Sequence, residues 1–205
     1  MNTDFDEAEL ISRSTQGDLD AFNRLVEQYQ RPIYNLCLRM LASAEAAEDA
    51  TQEAFISAYR AVHRFRGAHT GGFRAWLFRI AVNACYDEMR RRRSRPSVSL
   101  DAPRAETGRA FDFPNPGPTL EEGVQTAELG SAIQEALSTL PSDQRLAVIL
   151  CDVQGMEYAE IALVMGVSLG TVKSRLNRAR ARLRERLLAS GELLPSRFRP
   201  TSGEG

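Results

Sequence analysis

Residues Pro141–Leu188 read PSDQRLAVILCDVQGMEYAEIALVMGVSLGTVKSRLNRARARLRERLL, and their punctuation decides the fold. Tyr158 to Met165 sets Ile161, Ala162 and Met165 on one side of a short helix. Gly166 follows the last apolar residue, where a glycine commonly ends a helix. Val167 can pack beneath the turn, and Ser168 can cap the next helix by accepting from its free N–H groups. From there Val172, Leu176, Ala179, Leu183 and Leu187 recur on one face of a 3.6-residue repeat. The rest of that helix is basic (Lys173, Arg175, Arg178, Arg180, Arg182, Arg184, Arg186), opposed only by Glu185. Two amphipathic helices joined by Gly-Val-Ser make a helix-turn-helix. Its second helix has the division a DNA reader needs, one face for the core and one for the major groove. Residues near its N-terminus enter the groove, so Ser168, Thr171, Lys173, Ser174 and Arg175 are candidates there. Arg178 and Arg182 are better placed for phosphates, which set affinity and register. A solvated helix end in an arginine-rich chain is the bland alternative, and the Gly-Val-Ser turn weighs against it.

Composition bounds the rest. The chain has 205 residues, 43% of them hydrophobic, which is enough for two small cores. The net charge is only −1, so its distribution matters more than its sum. Acidic residues crowd the first sixty positions, while basic ones crowd Arg64–Arg95 and Lys173–Arg186. That asymmetry suggests one protein-contacting surface and two polyanion-contacting surfaces. Lys173 is the only lysine. Cys37, Cys85 and Cys151 lie among apolar neighbours in helical segments and read as buried free thiols rather than a disulfide or metal framework. No signal-peptide pattern opens the chain, and no apolar run is long enough to span a membrane. A cytoplasmic location with no membrane insertion is the expectation.

Upstream, the pattern is helical throughout, and nothing alternates with period two for long. Asp6–Gln16 is a short helix candidate, and Asp18 can cap the next helix. That helix carries Phe22, Leu25, Val26, Tyr29, Ile33, Leu36 and Met40, with a kink or break expected at Pro32. Ser43 can cap a third helix built on Ala47, Ala50, Ala54, Phe55, Ala58 and Val62. Gly67, Gly71 and Gly72 make a loop. A fourth helix follows from Phe73 to about Arg93, lined by Phe73, Trp76, Leu77, Ile80, Ala81 and Ala84, and ends in Arg90–Arg93. Four such helices suffice for a bundle. Trp76 and Phe65 flank the loop and the basic surface, so each can serve the core or stack an unpaired base. Pro114, Pro116 and Pro118 exclude a regular element, and the surrounding segment reads as a linker. Helix resumes towards Leu140. The expected architecture is therefore all-α: two small helical domains, 1–95 and 128–190, joined by a Pro-rich linker over 96–127, with a tail over 191–205.

Three stretches then resemble the bacterial RNA polymerase sigma factors of the sigma-70 superfamily, extracytoplasmic-function (ECF) group. These are Phe22–Tyr29; Ala47–Phe55, similar to that group's acidic Asp-Ala-x-Gln-Glu-x-Phe signature; and Leu140-Pro141, Arg145, Tyr158–Ala162, Gly166, Gly170–Leu176 and Arg178–Arg180. The resemblance implies a sigma-2-like bundle followed by a sigma-4-like helix-turn-helix domain. It implies that Asp49, Gln52, Glu53 and Phe55 grip the polymerase beta-prime clamp. Phe65, Gly67, His69 and Gly72 would belong to a loop that captures flipped bases of the −10 element. Arg74, Trp76, Arg79 and Asn83 would border it, with Arg90 and Arg91 on nearby phosphates. The last helix would read the −35 element, and the surface beneath it would touch the beta flap. Members of the group are commonly restrained by an anti-sigma factor, often membrane-attached.

An enzyme is not expected. His63 and His69 are the only histidines, neither has metal-ligand spacing, and no phosphate-binding glycine motif is present. No cofactor or metal is expected either. The competing reading is a stand-alone helix-turn-helix transcriptional regulator that binds duplex DNA as a dimer; the first domain discriminates between them.

Overall fold

A computed structural model describes residues 6–67, 72–94 and 130–189, and everything described is helix or short connection. The N-terminal part holds α1 (Glu7–Thr15), α2 (Leu19–Leu41), α3 (Ala44–Ala61) with a 3-10 turn at Val62–Arg64, and α4 (Gly72–Ser94). The C-terminal part holds α5 (130–138), α6 (Ser142–Val148) running into a π-helical turn (Ile149–Val153), α7 (Tyr158–Met165) and α8 (Leu169–Ala189). The expected linker over 96–127, the tail and His69 lie outside the described residues.

The expected caps Asp18 and Ser43 close their helices, and Asp6 adds one at the start of α1. Asp6 Oδ1 accepts from the Ala8 N–H, Asp18 Oδ1 from Ala21, and Ser43 Oγ from Ala46. Asp18 is itself held by Arg13, at 2.7 Å. Pro32 does not break α2, which runs on through it. The proline removes one N–H from the ladder, but the carbonyl of Pro32 gains a donor, Gln154 Nε2 at 3.1 Å.

In the bundle, α2, α3 and α4 pack on one another over Leu25, Ile33, Leu36, Met40, Leu77 and Ala81, all essentially sealed from solvent. α3 contributes small residues to this core: Ala46, Ala47, Ala50, Ala54 and Ala58 are buried. Small side chains let neighbouring helices approach closely while keeping helix propensity high. Cys37 and Cys85 meet there, Sγ to Sγ 3.5 Å, as buried free thiols. Cys151 departs from the expectation. It is only half-buried, because it sits on the π-turn facing Arg180 of α8 rather than in a helix interface.

The two helical groups share one continuous apolar core. α4 is the reason. Besides the expected stripe it buries a second one, Ala75, Phe78 and Val82, and it packs on α7 as well as on α2 and α3. Polar contacts close the same seam. Arg39 Nη1 donates to the Gly130 carbonyl and Gln134 Oε1, both at 3.3 Å, and Gln134 Nε2 donates to the Arg39 carbonyl. Arg145 Nη1 donates to the Met40 carbonyl at 2.8 Å. Arg74, lying over the Phe78 ring, donates to the Gln154 carbonyl.

Candidate nucleic-acid and protein interfaces

The helix-turn-helix is built as its residue types require. Glu157 and Glu160 form a reciprocal capping box at the start of α7. Gly166 ends α7 at φ +65°, the left-handed conformation that glycine adopts at no steric cost. The Val167 N–H then reaches back to the Ala162 carbonyl at 3.0 Å. Ser168 Oγ accepts from the Thr171 N–H at 3.2 Å and caps α8. Val172, Leu176 and Ala179 are buried, so the opposite face of α8 is left outside.

That outer face is not uniform. Ser168, Lys173, Arg178 and Arg182 are exposed, whereas Thr171, Ser174 and Arg175 are half-buried. Four arginines are tied back to neighbouring elements. Arg175 Nε pairs with Asp143 at 3.0 Å, Arg180 with Asp152, and Arg186 with Glu135 at 3.0 Å. Arg182 Nη1 donates to Gln144 Oε1 at 3.3 Å. The hydrogen bonds from Arg180 to Asp152 hold its guanidinium even more firmly protonated than usual.

On α4 the expected residues divide. Trp76, Arg79, Asn83 and Arg90 share one strip, at spacings of three, four and seven residues along the helix. Arg79, Asn83 and Arg90 are exposed there. Trp76 is half-buried in a cluster with Phe65 and Phe73, with ring centroids 5.2 and 5.3 Å apart. Phe65 is 9% exposed, packed edge-on against Phe73 and within 3.2 Å of the position a Cβ on Gly67 would take. Arg74 lies off the strip, engaged with Gln154. Arg90 pairs with Asp87, and Arg91 and Arg92 with Glu88. Glu53, Asp87, Arg90, Arg91 and Ser94 line one open basin, where α3 and the end of α4 meet.

On α3, Asp49, Gln52 and Glu53 are exposed on one face, while Phe55 is half-buried against the core. The same face continues through Ile56 and Tyr59, 46% and 45% exposed. The sequence reading passed over both. The signal was their spacing of three to seven residues from Gln52 and Glu53, masked because large apolar residues are ordinarily assigned to a core. Among the described residues no cluster of three or more metal-ligating side chains occurs, and no helix is long and apolar enough to cross a membrane.

Comparison with known proteins adds an independent line. The family model for sigma-70 region 2 matches residues 25–95, and that for sigma-70 region 4 matches residues 131–183. The chain is 37% identical over 177 residues to the ECF RNA polymerase sigma factor SigM of Mycobacterium tuberculosis, covering 86% of this chain and 82% of that one. It is 39% identical over 176 residues to the ECF RNA polymerase sigma-E factor of Escherichia coli, covering 83% and 88%. Among solved structures, it is similar to the sigma factor RpoE of Bartonella quintana, crystallised with the anti-sigma factor NepR. That match has a TM-score of 0.60 and 26% identity, over 82% of this chain and 98% of that one.

Proposed function

The chain belongs to the extracytoplasmic-function group of sigma-70 RNA polymerase sigma factors, and from that membership we infer how its surfaces divide the work. It binds core RNA polymerase and directs promoter-specific initiation by recognising −10 and −35 elements and aiding melting. The observation that carries this is the occurrence of region 2 and region 4 in order, the second ending in an exposed arginine-rich reading helix. A stand-alone duplex-binding regulator would have no use for the first.

In this reading Asp49, Gln52 and Glu53 meet the beta-prime clamp, with Phe55 beneath them and Ile56 and Tyr59 extending the contact. Charged and amide groups on such a surface set register and encounter rate more than affinity. The Trp76–Arg79–Asn83–Arg90 strip, with Arg91, follows the −10 strand. Trp76, backed by the buried Phe65, offers aromatic surface beside the loop, and stacking there offsets the energy of unstacking a base. Gly67 and His69 complete the −10 set, and Arg74, held by the Gln154 carbonyl in the closed form, joins it only once the seam opens. On α8, Ser168, Thr171, Lys173, Ser174, Arg175, Arg178 and Arg182 serve the −35 element, and the adjoining surface meets the beta flap. The chain supplies no catalytic group, and polymerase carries out phosphoryl transfer in the cytoplasm. An anti-sigma factor is the partner class that the co-crystallised relative points to.

The test is transcription from a promoter library by core RNA polymerase with and without this protein, sequencing the RNA 5′ ends. Starts that depend on the protein and share a −35/−10 pair are expected. No new starts, together with operator binding by the protein alone, would overturn the reading in favour of the regulator.

A further inference from the structure

Resting on the reading of α8 as the −35 helix, we propose that Asn177 reads a base edge and that the base is adenine. At 100° per residue, Ser174 and Ala181 lie almost opposite the apolar Val172–Leu176–Ala179–Leu183 stripe. Asn177 and Arg178 flank that line, each about 130° from the centre of the stripe. Both are exposed. Around Asn177 the line carries small residues (Gly170, Ser174, Ala181), which lets a duplex approach the first turns of the helix closely.

The arginines compete for the same role, and the structure disposes of most of them. Arg175, Arg180, Arg182 and Arg186 are turned towards Asp143, Asp152, Gln144 and Glu135 on the elements beside α8. Their guanidinium groups therefore border the reading face rather than project from it. Arg178 and Lys173 project, and their length and charge suit phosphates on either wall of the groove. The Asn177 amide has no hydrogen-bond partner within the described residues. It is short, so a base edge must come close to α8 to meet it.

The amide presents one donor and one acceptor side by side. Adenine presents the matching pair in the major groove, an N7 acceptor beside an N6 donor. Guanine presents two acceptors, N7 and O6, and would leave the amide oxygen facing another oxygen. Asn177 is thus a specificity-determining residue.

The experiment uses core polymerase with the full chain and a promoter library randomised across the −35 element. With the native protein, one −35 position is expected to demand adenine. Asn177→Ala is expected to flatten the preference at that position by about tenfold while leaving the −10 profile unchanged. Asn177→Arg is expected to move it to guanine. As an atomic check, 7-deazaadenine at that position should weaken initiation by the native protein and leave Asn177→Ala indifferent. An unaltered adenine preference in Asn177→Ala, or an equal 7-deazaadenine penalty in both proteins, overturns the assignment of Asn177 and leaves the sigma reading intact. Absence of any protein-dependent start with the native chain overturns the sigma reading and this proposal with it.

Discussion

Arg145 shows how one side chain can fasten several segments. Its guanidinium donates to the carbonyls of Leu137, Ser138 and Leu140 at the end of α5, and to Met40 at the end of α2, all between 2.8 and 3.1 Å. Helix C-termini leave carbonyls unpaired, and a planar fork with five donors satisfies several at once. Arg145→Ala is expected to lower stability by about 2–3 kcal/mol in urea unfolding, since charged hydrogen bonds are lost and half-buried carbonyls stranded. Arg145→Lys should recover only a part, because a point charge cannot fill the fork. Tyr29 gives a pH signature. Burial, then its hydrogen bond to Glu7 at 2.7 Å, pushes its hydroxyl well above the ordinary range. The folded chain therefore keeps a proton that the unfolded chain sheds near pH 10. Stability from this group is whole below about pH 10 and falls as pH rises further. Tyr34 and Tyr86 are raised by burial too, so the effect is shared. Urea midpoints between pH 8 and 11 should fall less steeply for Tyr29→Phe than for the native chain.

At the scale of elements, the helix-turn-helix turn is the sensitive joint. A Cβ on Gly166 would meet no atom within 4 Å, so space is not the obstacle. Its left-handed φ is. Gly166→Ala should cost about 1 kcal/mol in a thermal melt, and Gly166→Asn less, since asparagine tolerates that conformation better. A melting temperature unchanged by Gly166→Ala would mean that the turn relaxes to another conformation. The capping serines and aspartates, the Gly-Val-Ser turn and the periodic faces were all legible beforehand, because each is a local relation between residues a few positions apart. The second apolar stripe of α4 was not, since Ala75, Phe78 and Val82 acquire meaning only when α7 arrives to cover them. The tethering of Arg175 and Arg182 escaped for the same reason: Asp143 and Gln144 lie on another helix.

The described residues form one closed body. Its lobes meet along α2, α4, α6 and α7, and a compact body of this size has a radius of gyration of about 15 Å, roughly 40 Å across. Elements centred near −10 and −35 lie about 25 base pairs apart, roughly 85 Å at ~3.4 Å per pair. The closed form is therefore too small to engage both at once. The chain between Ser94 and Gly130, at ~3.3 Å per residue, can reach about 120 Å and does not limit separation. Dyes on exposed Arg24 and Ala159 are expected to report a short distance in the free protein. On promoter-bound holoenzyme that distance should grow beyond about 60 Å, the span of DNA less one lobe. An equal distance in both states would show that promoter engagement does not require opening. Substituting Arg39 and Gln154 together by alanine should lengthen the distance in the free protein, because those side chains hold the seam.

The sequence by itself determined the helices, their caps, the order of the two sigma regions and the three polar surfaces. Those follow from residue type and short-range spacing, and from motifs that need no third dimension. The tertiary structure decided which members of each surface are free to act. It turned Arg74 into the seam, buried Phe65 beside Trp76, and left Trp76, Arg79, Asn83 and Arg90 on one strip. It also tied four arginines of α8 to its neighbours and left Asn177 exposed and unpaired among the described residues. A side chain's availability depends on partners distant in the chain, and only packing brings those partners within a few ångströms.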